Sequence, residues 1–364
     1  MRAMILARLY ANPLDRGKLR ALAGLGAELT VLVPDISGSP DRSRFESEGN
    51  VRIVPVPASG SLSEPDELRW SGRALRRAIR DVRPELLQVE EEPWSVVARK
   101  AAREARRAGV PLVGFSRMPW PTRLPSGANR RRRQVMDAVA ALAATSQLAA
   151  DAVHRERPEL SVTVIPQSGV DVPAAVVQRN DGTVNIGCIG RLAAERGLDL
   201  VLDAVTRLGA GWRLLISGTG PEQIALEAQA ERLGIAASVT WLGAQPRAQR
   251  LALLQELDIL VSTPREGEGW QELIATPVML AMAHGIPVIG SRHGVLPERL
   301  DDAGVLVPPD DVDALADALT ELVRDQSRRH ALGLAARRRA QEEFSHHAVA
   351  QRSFALWQQH MVPV

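Results

Sequence analysis

A single cysteine, Cys188, in 364 residues excludes an internal disulfide, so packing alone must hold the fold, as in chains of a reducing compartment. Aromatic side chains make up only 3%, with one tyrosine, so the core has to be built from Ala, Leu, Val and Ile. Lysine is scarce as well: of 45 basic residues only Lys18 and Lys100 are lysines, and the rest are arginines. No run approaches the ~18 apolar residues that a membrane-spanning helix needs. The apolar stretch within Met1–Arg8 is short for a secretory signal, and a cytoplasmic location is expected. Short-period repeats and low-complexity tracts are also missing.

What remains is ordinary globular usage, 45% hydrophobic and 24% charged, in a length that suits two domains. Short aliphatic runs predict strands at 3–7, 29–33, 51–54, 86–89, 111–115, 141–144 and 162–165, separated by helical patterns at 16–25, 66–82, 95–108, 129–139 and 147–155. The second half repeats the alternation. Strands are expected near 184–189, 213–217, 238–241, 258–261, 286–289 and 305–307, with helices near 197–208, 221–233, 246–255, 276–284 and 311–324. Such alternation implies right-handed βαβ units and parallel sheets. Pro166–Pro173 and the polar stretch to Thr183 mark a linker between domains 1–170 and 180–345. The last residues read as two helices broken around Phe344–Ser345, the final one expected to pack on the first domain through Val349, Phe354, Leu356 and Trp357.

Three segments carry chemistry. In Asn185–Leu198 a strand ends at Gly190, Arg191 follows, and Arg196 is placed at the start of the next helix. Two guanidinium groups there can clamp a diphosphate and neutralise a departing phosphate; the plainer reading is a βα turn with surface arginines. In Leu215–Glu222 a strand runs into Gly218 and Gly220, with Pro221 expected to open a helix whose free N–H groups suit an anion. The spacing is not that of a dinucleotide fingerprint. The third segment, Thr263–Glu298, has a carboxylate-rich loop through Trp270 and Glu272, a helix reaching Ala281-Met-Ala, then Gly285 and a buried strand.

Together these segments resemble the donor domain of glycosyltransferase family 4, whose blocks are Gly-Arg-Leu with a following Lys-Gly, Gly-x-Gly-Pro, and a Glu-x7-Glu helix ending Ala-Met-Ala-x-Gly-x-Pro-Val. The resemblance covers about 185–310 and extends more weakly to both ends. It implies the GT-B fold: two Rossmann-like, doubly wound parallel-sheet domains facing across a cleft. The first would take the acceptor and the second a nucleotide-sugar. By position, Arg191 matches the phosphate-binding arginine and Arg196 stands where the family has lysine. Glu272 matches the glutamate that approaches the donor sugar, and Gly218 and Gly220 would lie under the nucleotide. Three features depart from the pattern: the glycine pair usual after the first strand is missing from Tyr10–Lys18, and two single positions differ. Leu280 replaces the glutamate that holds the ribose hydroxyls, and Arg117 falls where the family ends a strand in histidine.

The resemblance thus gives Arg191, Arg196 and Glu272 catalytic roles and places Gly190, Gly218, Gly220, Trp270 and Leu280 around the donor. Acceptor-side candidates are Glu91, Glu92 and Trp94, which follow a strand end, with Arg117 and Trp120; a charged helix start explains the acids equally. The implied reaction is sugar transfer with retention, needing no metal or other cofactor. The alternative is a GT-B protein repurposed for binding. Asp311-Val-Asp313 reads as a helix cap, and His284 and His346-His347 lack partners at metal-ligand spacing. Residues 1–170 hold 27 basic and 19 acidic side chains, net +8, against 18 and 24, net −6, beyond. The basic half suits an anionic acceptor or a peripheral membrane contact; solvated helix faces would look the same. The arginines at 69, 73, 76, 80 and 83 and Asn129–Arg133 lack interleaved aromatics, so nucleic acid is not expected.

Overall fold

A computed structural model describes residues 1–36, 45–61, 68–119, 124–176, 182–267 and 270–361. The chain divides into two compact units, Met1–Gly169 with the segment from His346 onward, and Val170–Ser345.

The first unit is built on strands β1 (Arg2–Leu6), β2 (Glu28–Ile36), β3 (Val51–Ser59), β4 (Arg69–Trp70), β5 (Leu86–Val89), β6 (Leu112–Ser116), β7 (Ala141–Ala144) and β8 (Val162–Val164). Their order is β4-β3-β2-β1-β5-β6-β7-β8, parallel except for β4. Helices α1 (Gly17–Gly24), α2 (Gly72–Val82), α3 (Val96–Ala108), α4 (Ser126–Met136) and α5 (Gln147–Glu156) make the crossovers. β1 shows why the run is aliphatic throughout. Ala3 and Ile5 join a core with α1, while Met4 and Leu6 join another with α2, α3 and α4. A strand buried on both faces leaves no place for a polar alternate.

Two details differ from the sequence expectation. The helix expected over 66–82 begins only at Gly72, capped by Ser71, whose hydroxyl accepts from the Ala74 N–H. Arg69 and Trp70 pair instead with Ser59 and Ala58. β3 also runs past Pro55 and Pro57, which the sequence reading took as its end. The Pro57 carbonyl bonds Ser71 rather than β2, so both prolines turn their missing N–H toward the edge and cost the β2 ladder nothing.

The second unit holds β9 (Val184–Ile189), β10 (Trp212–Ser217), β11 (Val239–Gly243), β12 (Ile259–Ser262), β13 (Val288–Ser291) and β14 (Val305–Val307) in the parallel order β11-β10-β9-β12-β13-β14. Its helices are α6 (Leu198–Val205), α7 (Gln223–Arg232), α8 (Arg247–Glu256), α9 (Thr276–Ala283), α10 (Leu296–Leu300), α11 (Val312–Arg324) and α12 (Gln326–Arg339). The strand order reverses between β9 and β12, which makes their carboxyl ends a topological switch point, the usual ligand position in open α/β sheets. Asp311 does cap α11, accepting from the Ala314 N–H at 2.9 Å. A π-helical turn, Ala340–Phe344, ends this unit.

Helix α13 (His346–His360) belongs to the first unit. Val349, Leu356 and Trp357 lie in the same core as Ala3 and Ile5, with Phe354 half-buried against it. The buried Trp357 indole N–H finds its acceptor in Gln88 of β5 at 2.5 Å.

Candidate functional site

In the second unit the residues of interest gather at the switch point. Arg191 and Arg196, after β9, line one small cavity of about 40 Å³ with Gly190, Ser262 and Thr263. Arg191 is exposed, and its side chain makes no hydrogen bond or ion pair among the described residues. Arg196 does not start α6. It closes a 3-10 turn, Ala194–Arg196, and Gly197 (φ 62°) then redirects the chain so that α6 begins at Leu198. A Cβ on Gly197 would lie 2.2 Å from the Thr263 carbonyl, so only glycine permits this approach of the β9 and β12 loops.

Arg196 is held from two sides. Its guanidinium pairs with the Glu272 carboxylate and lies 5.0 Å from the centre of the Trp270 ring. Trp270 in turn stacks on His293, centroids 5.7 Å apart and planes 9° from parallel. Glu272 is buried, and its other oxygen accepts from the Ala275 N–H at 3.2 Å. The Glu272 backbone also closes on the end of β13: its carbonyl accepts from Val295, and a Cβ on Gly294 would sit 2.2 Å from that oxygen. Catalytic candidates Arg191, Arg196 and Glu272 are thus brought together with Trp270.

Gly218 and Gly220 belong to the same edge for a reason the sequence did not disclose. A Cβ at Gly218 (φ 150°) would fall 1.7 Å from the Gly190 carbonyl, and one at Gly220 would fall 2.0 Å from that of Leu192. The space their missing side chains leave is filled by this chain's own backbone. Pro221 likewise precedes α7 by a turn instead of opening it, since the helix starts at Gln223. Leu280 lies half-buried in α9, which begins four residues after Glu272.

Sequence reasoning missed His293. It is buried, and its Nε2 has no hydrogen-bond partner among the described residues. Burial lowers its pKa, against the opposing pull of Glu266, Glu272 and Asp310, so the ring is neutral near pH 7. The available signal was a histidine directly after a strand and before a glycine, in Ser291-Arg-His-Gly294.

In the first unit the acceptor-side candidates lie at the carboxyl ends of β5 and β6, and most point inward. Glu91 and Glu92 are buried, Glu91 accepting from the Arg8 N–H at 3.0 Å and pairing with the Arg8 guanidinium. Glu92 accepts from the Arg117 N–H at 3.0 Å and from the Ser116 hydroxyl at 3.3 Å, with the Arg117 guanidinium 3.8 Å away. Burial pushes Glu92 up to about 7, outweighing Arg117, and raises Glu91 against Arg8. Neighbouring Glu90 accepts from Lys18 at 2.6 Å, Gln88 at 2.7 Å and Tyr10 at 3.0 Å. Trp94 is buried, its carbonyl tied to Arg131 at 2.6 Å. Among these candidates Arg117 alone keeps a partly open side chain. Trp120 lies outside the described residues.

Comparison with known families agrees with this geometry. Residues 174–339 match the family described as glycosyl transferases group 1, and residues 16–167 match the glycosyl transferase 4-like domain. The chain belongs to the family 4-like glycosyltransferases. One relative is a GDP-mannose-dependent monoacylated α-(1-6)-phosphatidylinositol monomannoside mannosyltransferase of Corynebacterium glutamicum. It is 30% identical over 178 residues, 47% of this chain and 46% of that protein. The match thus spans about half the length of that relative. Among solved structures, sucrose-phosphate synthase from Thermosynechococcus elongatus superposes with a TM-score of 0.75 at 16% identity, covering 99% of this chain and 98% of that one. HepE of Anabaena, in complex with UDP and glucose, gives 0.71 at 17%, covering 99% and 100%. At such identities the likeness concerns fold, and the fold of this family 4-like chain is GT-B.

Proposed function

We propose that this family 4-like chain transfers a sugar from a nucleotide-sugar to a small-molecule or glycan acceptor, with retention and without a metal. The observation that carries the reading is the shared cavity of Arg191 and Arg196 at the β9/β12 switch point. Glu272 and Trp270 hold Arg196, while Arg191 is left to a ligand. A leaving diphosphate gathers charge as the sugar–phosphate bond breaks. Arg196, held in place by Glu272 and Trp270, and the exposed Arg191 guanidinium would together stabilise that charge. The departing phosphate oxygen can then accept the acceptor's proton, so a histidine at position 117 is not needed. Relatives and fold neighbours whose names carry GDP-mannose or UDP support a nucleotide-linked donor.

The test is calorimetric titration with UDP and GDP in EDTA, followed by Arg191→Ala. Binding of one diphosphate, weakened about 10–100-fold in the variant at unchanged melting temperature, is the expected outcome. Unchanged affinity with the fold intact removes Arg191 from the site. Binding without turnover of any nucleotide-sugar favours the second reading, a repurposed binding protein, for which Leu280 in place of a ribose-binding acid is the favouring observation.

A further inference from the structure

A groove of about 630 Å³ opens between α2 and α3 in the first unit. It lies beside the first residues of β1, β5 and β6, at the opposite edge of the sheet from Glu90, Glu92 and Arg117. Arg2, Arg76, Arg80, Arg83 and Arg107 line it, with Glu85 and Glu104 as the only acids among the described residues. Val110 and Pro111 give it an apolar stretch.

This is more than a solvated helix face. Helices α2, α3 and α4 pack on one face of the sheet and carry 13 basic residues against two acids, Asp81 and Glu104. A solvated face of alternating charge would pair its arginines with acids one turn away; among the described residues only Arg77, with Asp81, and Arg107, with Glu104, have such a partner. The one central carboxylate is fully used: Glu104, its side chain 1% exposed, accepts from Arg76 at 2.8 Å, Arg107 at 3.0 Å and Arg103 at 3.1 Å. It fixes three guanidinium groups across two helices and can neutralise only one of them. Arg80 shares only the exposed Asp81, at 3.4 Å. Arg83 makes no ion pair among the described residues. It also ends α2 in the left-handed region (φ 49°, ψ 61°), a position that glycine fills without strain. A strained arginine lining an under-neutralised groove points to a ligand that rewards it.

We infer that the α2–α3 groove binds a phosphate ester, either a free phosphorylated small molecule or the headgroup of an anionic lipid. Guanidinium groups match phosphate oxygens in paired hydrogen bonds, and Val110 with Pro111 offers contact to the ester carbons.

The intact chain should be titrated with sn-glycerol 3-phosphate and sedimented with phosphatidylglycerol or phosphatidylcholine vesicles. Binding to either phosphate source, weakened about tenfold or more by Arg80→Ala/Arg83→Ala, is expected. Arg130→Ala/Arg133→Ala, an equal charge change on α4 outside the groove, should have little effect. Capture by phosphatidylglycerol vesicles alone assigns the lipid source; binding of the soluble ester assigns the free one. Arg83→Gly provides a further readout, raising the melting temperature while weakening binding. Equal losses in both double variants, or no binding of either probe, would overturn the proposal.

Discussion

Replacing Glu92 by glutamine should stabilise the protein at pH 8 and do little at pH 5. The Glu92 side chain is 8% exposed, and its hydrogen bonds from Arg117 and Ser116 do not compensate for leaving water. Its carboxyl therefore moves from the ordinary 4.5 to about 7. Between those values the folded chain keeps a proton that the unfolded chain has released. Stability must then fall as pH rises from about 4.5 to about 7 and level off above. The full displacement corresponds to about 3 kcal/mol. Glutamine cannot ionise, yet its amide oxygen can still accept from the Arg117 N–H. Relative to wild type, Glu92→Gln should gain less than about 1 kcal/mol at pH 5 and about 3 kcal/mol at pH 8. For a unit of this size, that is a melting temperature higher by roughly 6–12 °C at pH 8. Calorimetry of both proteins across this range measures the difference. A difference that stays flat with pH, or a variant less stable at pH 8, would show that the Arg117 ion pair outweighs burial.

Gly218→Ala forces a Cβ against the Gly190 carbonyl between two strand ends, and should cost at least ~3 kcal/mol in urea unfolding; a loss under 1 kcal/mol would mean that the two turns can separate. Trp357→Ala empties a fully buried site and strands the Gln88 side-chain oxygen, so ~3–5 kcal/mol should be lost. Leu280→Glu should preserve folding, since the side chain is half-exposed, and should tighten nucleotide binding by ~1–3 kcal/mol by supplying an acceptor for the ribose hydroxyls. Unchanged affinity in titration would place Leu280 away from the ribose.

The fold was legible wherever its cause is local. β9 reads as a strand because Ile186 and Cys188 enter the core with α6 and α11, while Gly187 is closed over by Leu257 on the other face, so the stretch from Ile186 to Ile189 has no polar alternation. β4 was not legible: two residues have no period, and only pairing with Ala58 and Ser59 makes them a strand. The candidate site divides along the same line. Arg191, Arg196 and Glu272 could be singled out because each follows a strand end or lies in a recognisable block. That Glu272 would be committed to Arg196 could not be read, since the two are 76 positions apart. His293 escaped notice because its stacking partner, Trp270, lies in another loop.

The run Glu90-Glu-Glu92 shows what such distance does to a functional reading. Three consecutive acids after a strand look like an open, charged loop ready for a ligand. Each has instead found a cation or donor from a distant segment: Lys18 and Tyr10 for Glu90, Arg8 for Glu91, Arg117 for Glu92. A carboxylate so committed cannot also bind an acceptor without leaving a buried partner unpaired, at a cost of several kcal/mol. Arg191 is in the opposite condition. It is exposed, carries a fixed charge and has no partner among the described residues, so binding an anion there breaks nothing already made. Local sequence gives both segments the same appearance, charge at the end of a strand. The difference between a brace and a binding group lies in whether the rest of the chain supplies a counter-ion, and that is settled only when the sheet brings β1, β5 and β6 side by side.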